Sequence, residues 1–599
     1  MTEIHKLIID HIDVWTSAIK KKSASGRGSS NKTELAGIKK LRELILELAV
    51  RGKLVPQDPN DEPASVLLEK IDAEKTQLIA DKKIRKQNKS ATITDIEKPF
   101  TIPNGWSVNR LIELSILENG DRSKNYPNKS LLVEQGIPFV NAGHLTNGTV
   151  NQKEMTFITE ERFELLRGGK FRPGDILYCL RGSLGKSALV QDIVTGAIAS
   201  SLVIIRTYSD IAHRYLMYYF DSPFAYNLIK KYDNGTAQPN LSATDLAKFV
   251  VPLPPLAEQH RIVAKVDELM ALCDQLEQQT EQSLTAHQTL VEELLKALIE
   301  DASGKTTMDG GNVENAGAIF DRIAEHFDIL FTTEHSIEQL KQTILQLAVM
   351  GKLVPQNPND EPASVLLEKI AEEKAQLIKE KKIKKQKPLP AITDEEKPFE
   401  LPRGWSYTRL DDLCANVSSG STPPKSELSE SGDIPFLKVY NIQNQEIEFK
   451  ERTLFVTKDA HMSKLNRSIL FPGDVIMNLV GPPLGKVAIM PSTYPEWNCN
   501  QNIVCFRPLE LELNKYIYTY LKSHLFLNYI ILVGSAGQDF ISGTKCRAIA
   551  LPIPPLSEQH RIVAKVDELM ALCDQLKARL NDAKTTQLHL ADAVVENAL

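Results

Sequence analysis

The chain is written twice. Residues 54–71, LVPQDPNDEPASVLLEKI, return as residues 353–370 with one change, Asn357 standing where the first copy has Asp58. Residues 258–276, EQHRIVAKVDELMALCDQL, return unaltered as residues 558–576. A period of about half of the 599 residues dictates two copies of one structural unit, each long enough to bury its own core. Between the matched blocks, residues 107–255 and 406–555 keep only landmarks in common. Ile137-Pro138-Phe139 answers Ile434-Pro435-Phe436, Pro173-Gly174-Asp175 answers Pro472-Gly473-Asp474, and Gly185-Lys186 answers Gly485-Lys486. These stretches read as one fold with two different surfaces.

A core constraint holds one face of a helix constant, yet the repeated helix matches all round, including Glu258, Gln259, His260, Arg261, Lys265, Asp267 and Glu268. A shared partner bound twice explains this; recent exchange of DNA between the copies is the rival explanation. The docking candidates are Glu258, Arg261, Lys265 and Glu268 with their copies Glu558, Arg561, Lys565 and Glu568.

Ile38, Leu41, Leu44, Ile45 and Leu48 share a helical face, and Gly52 is a natural stop. Asp61-Glu62-Pro63 and Asp360-Glu361-Pro362 each open a charged helix, the first reaching about Lys86. Both run into basic stretches, KKIRKQNK from Lys82 and KEKKIKKQK from Lys379, which suit either solvent or a phosphate backbone. After Pro254-Pro255 a long helix to about Glu300 is predicted. Its residues Val266, Leu269, Cys273, Leu276, Thr280, Ser283, His287, Leu290 and Leu294 alternate three and four apart. Val566, Leu569, Cys573, Leu576, Leu580, Ala583, Gln587, Leu590 and Val594 keep the same rhythm, a coiled-coil seam. Residues 301–318 are rich in Gly, Asn and Asp and predict a linker that lets the copies fold back into an antiparallel, quasi-twofold pair. The domain plan is then 1–106 helical, 107–255 variable, 256–300 long helix, 301–318 linker, 319–405 helical, 406–555 variable and 556–599 long helix.

The variable stretches predict a mixed α/β fold. DILYCL from Asp175, ALVQDIV from Ala188 and SLVIIRTY from Ser201 have the length and branching of strands, with a helix around residues 212–219. Charged residues at 25% and apolar residues at 42% exclude wholesale disorder. No apolar run reaches the roughly 18 residues of a membrane span, and the acidic amphipathic start is unlike a signal peptide, so a cytoplasmic protein is expected. A net charge of -6 excludes a uniformly basic coat, leaving DNA contact local or partner-assisted. Seven cysteines without a CxxC pair suggest neither a disulfide framework nor a metal site. GSLGKS at residues 182–187 is no phosphate loop, because Leu180 and Val480 stand where that loop needs glycine. No HExxH, GxSxG or Asn/Asp-Pro-Pro-aromatic motif occurs, so no catalytic residue is expected.

The passages PLPPLAEQHRIVAKVDELMALCDQLE from Pro252 and PIPPLSEQHRIVAKVDELMALCDQLK from Pro552 resemble those of the specificity subunits of type I restriction-modification enzymes. LAVRGKLVPQDPNDEPASVLLEKI from Leu48 resembles the branch with an extended N-terminal conserved region. The resemblance implies that each variable domain is a target-recognition domain reading half of a split, asymmetric sequence in double-stranded DNA. It further implies that the helices form an antiparallel ruler docking two methyltransferase subunits and, through them, restriction subunits. S-adenosylmethionine, ATP and magnesium would belong to those partners, leaving this chain non-catalytic. A coiled-coil scaffold with two modules for protein or carbohydrate, and a stand-alone nuclease, are the alternatives. At about 1.5 Å per residue a helix of about 35 residues spans roughly 50 Å, enough for half-sites one DNA turn, roughly 34 Å, apart.

Arg, Lys, Asn and Gln carry the donors that read base edges. The candidates for DNA contact are Asn141 and His144 after the first Ile-Pro-Phe, Arg181 and Ser183 in the loop after DILYCL, and Thr236 and Gln238 in the last loop. In the second domain they are Lys438, Asn441, Gln538, Ser542 and Lys545.

Overall fold

The computed structural model describes residues 3–21, 33–84, 92–94, 97–98, 100–208, 211–235, 238–302, 325–481, 483–529 and 540–599. It divides into two compact units, one of residues 1–283 with 583–599, the other of residues 284–582. The predicted linker lies, from residue 303 onward, outside the described residues.

Each unit has a short helix that a glycine ends. Helix Ala36–Val50 buries Ile38, Leu41, Leu44, Ile45 and Leu48, as the spacing predicts. Gly52 follows at φ +70°, and a Cβ there would lie 2.7 Å from Pro103 and 2.9 Å from the Trp106 ring. Helix Glu334–Val349 ends alike: Gly351 has φ +70° and the same distances to Pro402 and Trp405. The left-handed turn and the crowding both demand glycine. The charged helices are Ala64–Ala80 and Ala363–Lys379, the first some residues shorter than expected. Leu78 and Ile84 pack half-buried against the core of the first domain, and the helix closes between them rather than running on into the basic stretch. Lys82 and Lys381 instead adopt φ +56° and +60°, and the next residues, Lys83 and Lys382, bond back to Leu78 O and Leu377 O at 2.9 Å.

The first variable domain closes on itself, its opening strand Ser107–Arg110 pairing antiparallel with Val250–Leu253. Between them, strands Ser115–Asn119, Leu202–Thr207, Ile176–Cys179, Ser187–Leu189, Gly148–Val150 and Leu145–Thr146 lie in that order in one sheet. Thr156–Ile158, Ile137–Val140, Gly196–Ile198 and Lys170–Phe171 form a second. ALVQDIV is strand only at its start, and GSLGKS is the turn joining Ile176–Cys179 to Ser187–Leu189, with Gly182 and Gly185 at φ +80° and +82°. The second domain repeats the plan. Ser406–Arg409 pairs with Ala550–Ile553 around a sheet of Cys414–Ser419, Ile503–Pro508, Val475–Asn478 and Val487–Ile489 and a five-stranded companion. The shared Pro-Gly-Asp is also explained. Buried Asp175 accepts the Arg172 N–H at 2.9 Å and the Arg206 guanidinium at 2.8 and 2.7 Å. Asp474 does the same with Phe471 N–H at 2.8 Å and Arg507 at 2.9 and 2.7 Å. All seven cysteines are buried, and none is in a disulfide.

The long helices are Leu256–Ala302 and Leu556–Ala598. Their buried stripe departs from the predicted seam. Val266, Leu269 and Cys273 are fully buried, but Leu290 is 58% exposed and Val291 is 0% exposed in its place; likewise Leu590 is 43% exposed and Ala591 is 0%. A straight helix returns to the same face after about five turns, or 18 residues, which links Cys273 to Val291 and Cys573 to Ala591. A strict heptad drifts off that face by about 20° per repeat. No helix among the described residues is long and apolar enough to cross a membrane.

Candidate nucleic-acid interface

In the first domain four loops meet at one end of the six-stranded sheet. Arg181 bridges Asn240 across the turn, its Nε–H donating to Asn240 Oδ1 at 3.2 Å. Gly182 N–H donates to Pro239 O at 3.1 Å, Leu241 N–H to Leu180 O at 2.9 Å, and Leu180 N–H to Ser201 O at 2.9 Å. Arg122 Nη2 lies 3.5 Å from Ser200 O. Arg122, Arg181, Ser183 and Gln238 are all exposed there.

The second domain keeps this frame and changes what it shows. Leu479 N–H donates to Asn502 O at 2.8 Å, and Ile541 N–H to Leu479 O at 3.0 Å. Where Arg181 bridges Asn240, Val480 bridges Phe540. Thr422 Oγ1 meets Gln501 Oε1, and Arg467 Nε–H donates to Ser421 Oγ at 3.0 Å. Thr422, Gln501, Arg467 and Phe540 are exposed.

Of the residues singled out by sequence, Arg181, Ser183 and Gln238 come together; Thr236 and Gln538 lie outside the described residues. His144 and Asn441 face inward, a correction. His144 Nδ1 accepts Asn141 N–H at 3.1 Å, which puts its proton on Nε2, 3.0 Å from Glu154 O; burial lowers its pKa and keeps it neutral. Asn441 does the same job with different atoms, accepting Lys438 N–H at 2.9 Å and donating to Glu448 O and Arg452 O at 3.0 and 3.1 Å. Both brace the turn after Ile-Pro-Phe, where a base cannot reach them. Asn141 and Lys438 are half-buried in that turn, with Asn141 Oδ1 taking Gly143 N–H at 2.8 Å. Ser542 caps helix Gly543–Arg547, accepting the N–H of half-buried Lys545 at 3.4 Å. Arg122, Thr422, Gln501 and Arg467 were not anticipated. A signal for the first three existed in Gly120 and Gly420, where a Cβ would sit 2.7 Å from Ala199 O and 2.2 Å from Asn500 O. Such close backbone approach marks where loops gather.

The repeated helix also needs a correction. Glu258 and Glu558 are 1% exposed, each accepting a tryptophan indole N–H, from Trp106 at 2.9 Å and Trp405 at 3.0 Å. They fasten the entry of each variable domain to its long helix and cannot greet a partner. Arg261 grips Asp61 and Arg561 grips Asp360, each at 2.6 Å. Part of the all-round identity therefore comes from duplicated internal contacts. Lys265–Glu268 at 2.9 Å and Lys565–Glu568 at 3.0 Å are matching pairs whose glutamates are exposed.

Burial pushes the Glu258 carboxyl above its ordinary pKa, more than the Trp106 N–H draws it down. The folded state then holds its proton more tightly than the unfolded state, so this group's contribution is complete below the unfolded pKa and falls as pH rises through the folded one. Glu258→Gln keeps an acceptor for Trp106 and removes the buried charge. We expect that variant to equal or exceed the parent in urea midpoint at pH 8 and to gain less at pH 5; a gain larger at pH 5 would contradict the account.

Residues 103–286 and 402–583, more than half of the chain, each match the model of the Type I restriction modification DNA specificity domain. The chain belongs to the type I restriction-modification specificity family. It is 42% identical to the Type I restriction enzyme EcoAI specificity subunit and 40% identical to the EcoEI specificity subunit, both from Escherichia coli, over 100% of this chain and of each relative. A chain in a solved structure of a type I R-M system is 20% identical and covers 84% of this chain and 99% of its own length, with a TM-score of 0.45. As a specificity subunit the protein binds DNA and docks methyltransferase and restriction subunits, and it is not itself the enzyme.

Proposed function

We propose that the two target domains read two unlike short sequences, the halves of one asymmetric DNA target, and that the long helices pair antiparallel to set the distance between them. One observation carries this reading. The two loop clusters share their backbone hydrogen bonds and differ in their side chains, Arg181, Asn240 and Gln238 against Val480 and Phe540. Equal frames with unequal donors and acceptors recognise unequal base edges. Arg122, Arg181, Ser183 and Gln238 contact the first half; Thr422, Gln501, Arg467 and Lys545 contact the second. The antiparallel pairing is supported by the make-up of the units, each combining the first part of one long helix with the last part of the other. The pairs Lys265–Glu268 and Lys565–Glu568 offer two methyltransferase subunits a repeated ion pair, the first of them backed by His5, which lies 3.0 Å from Glu268, and restriction subunits join through them. S-adenosylmethionine, ATP and magnesium are held by those partners.

Methylation mapping in cells that carry this chain with its methyltransferase tests the reading. A motif in two parts with a fixed gap is expected, and one continuous motif overturns it. Arg181 spends Nε on Asn240 and keeps the paired terminal N–H groups suited to guanine. Arg181→Ala should therefore cost about 1–3 kcal/mol on the cognate duplex and relax one base position in one half. Competition binding with single-base variants of the site reads this directly.

A further inference from the structure

Helix Pro223–Tyr232 runs from the N-terminal helices to the reading loops of the first domain. At its start the Phe224 N–H donates to Glu47 of helix Ala36–Val50 at 3.1 Å. At its end Asp233 N–H donates to Ile229 O at 2.8 Å, and the Asp233 carboxylate accepts Gly235 N–H at 3.0 Å and Asn240 N–H at 2.9 Å. Asn240 is the residue that Arg181 bridges. The turn that carries Arg181 rests on the same helix end, with Gly185 so close that a Cβ there would lie 2.7 Å from Ile229 Cδ1. The loops of Arg181 and Asn240 are therefore both seated on the last turn of this helix.

What this end presents is cationic. Lys186, Lys230 and Lys231 are exposed, and among the described residues none of them has an acidic partner. The two acids that flank the Asn240 loop are already spent, Asp233 on two backbone N–H groups and Asp245 on Lys248 at 2.7 Å. Lys230 stands over the ring of Tyr226, 4.7 Å from its centroid, and Tyr226 is 54% exposed. Residues four apart share a helical face, so Tyr226, Asn227, Lys230 and Lys231 make one exposed ridge that ends at the loops. The helix dipole favours cations at this end, but it supplies the equivalent of only about half a negative charge, which leaves most of three ammonium charges open to an anion. Lys186 is also common to both domains, answered by Lys486. A side chain shared by two readers of unlike sequence suits the part of DNA that is alike everywhere, its phosphates.

We infer that Lys186, Lys230 and Lys231, with the Tyr226 hydroxyl as a further donor, grip the DNA phosphate backbone beside the half-site that Arg181 reads. This rests on the DNA reading proposed above and adds to it a contact without base preference. Phosphate contacts fix register on the duplex, so the grip sets Arg181 and Gln238 against their bases. Duplex DNA carries one charge per about 1.7 Å of its axis, enough to offer each ammonium a partner.

The test uses the full chain in complex with its methyltransferase subunits. One variant carries Lys186→Gln, Lys230→Gln and Lys231→Gln; a second carries Lys186→Arg, Lys230→Arg and Lys231→Arg. Cognate and scrambled duplexes are titrated at several salt concentrations. For the glutamine variant the salt slope of log affinity should fall by about 0.9 for each phosphate no longer neutralised, about 2–3 in all, with cognate affinity at least tenfold weaker at low salt and the methylated motif unchanged. The arginine variant should keep the parent slope. Neutral methylphosphonates beside the half-site of the first domain should weaken the parent and leave the glutamine variant nearly unchanged; beside the other half they should weaken both alike. Equal slopes and affinities, with the parent still selective, overturn the grip and leave the DNA reading standing. A slope that falls equally in the arginine variant, or a methylphosphonate effect lost beside the other half instead, overturns the grip as well. A parent complex that fails to distinguish the duplexes overturns both readings. Loss of methyltransferase from the glutamine variant, with an unchanged slope, assigns the lysines to a protein partner and overturns the grip. An unchanged melting temperature shows that the variants are folded.

Discussion

Exchanging residues 107–255 for the matching domain of another specificity subunit replaces one half of the methylated sequence and leaves the other half as it was. The splice is physically simple, because Ser107 and Leu253 are directly paired and the two ends of the graft leave the domain side by side. The bonds that hold each domain's closing strand travel inside the exchanged segment and are the same in both domains of this chain. Tyr215 and Tyr219 hydroxyls donate to Pro252 O and Val250 O at 2.6 and 2.9 Å, and Tyr516 and Tyr520 donate to Pro552 O and Ala550 O at 2.8 Å each. Trp106 and Glu258 lie outside the exchanged segment and keep their bond. With the loop cluster gone, the original half-site loses its preference over random sequence, a loss of about 10³-fold or more in discrimination. Sequencing of methylated DNA is the measurement. If both halves change, or neither does, the domains do not read independently.

The largest stability loss is expected at Arg507. Its guanidinium is the counter-charge of Asp474, which is 3% exposed, and it also donates to Ile469 O at 2.8 Å and lies over the Phe471 ring at 4.4 Å. Arg507→Met leaves a carboxylate buried without its cation. Breaking one side of such a pair costs about 3–5 kcal/mol, whereas removing both charges costs far less. The double variant Asp474→Asn with Arg507→Met keeps an acceptor for Phe471 N–H and should recover at least half of the loss. Urea unfolding of parent, single and double variants gives the three values. A single variant within about 1 kcal/mol of the parent, or a double variant no better than the single, would show that the pair is not the anchor it is taken to be. Arg206 and Asp175 predict the same pattern in the first domain.

Much was legible in the residues because it depends on local pattern. The duplication, the short helix stopped by Gly52, the turn at Gly182 and the mixed α/β character follow from spacing and turn chemistry alone. The seam was misplaced from Leu290 onward because apolar spacing cannot distinguish a 3.5-residue from a 3.6-residue period over so few turns, and the packed structure followed the straighter helix. His144 and Asn441 looked like reading groups because polarity after a strand end is the same whether a side chain points out or folds under.

By itself the sequence determined that there are two of everything: two cores, two long helices and two target domains of one fold, with the glycines that end their short helices. The acidic caps expected at Asp61 and Asp360 are not formed, because those carboxylates pair with Arg261 and Arg561 and the helices start after Pro63 and Pro362 without a side-chain cap. Only the tertiary structure decided which polar groups are spent inside and which remain to be shared. Glu258 belongs to Trp106, Arg261 to Asp61 and Asn441 to its own turn, while Arg122, Arg181 and Gln501 stand exposed at the loop cluster. The reason is that a hydrogen bond is satisfied by whatever lies within about 3 Å in space, and the groups that meet here come from segments that can be over a hundred residues apart in the chain.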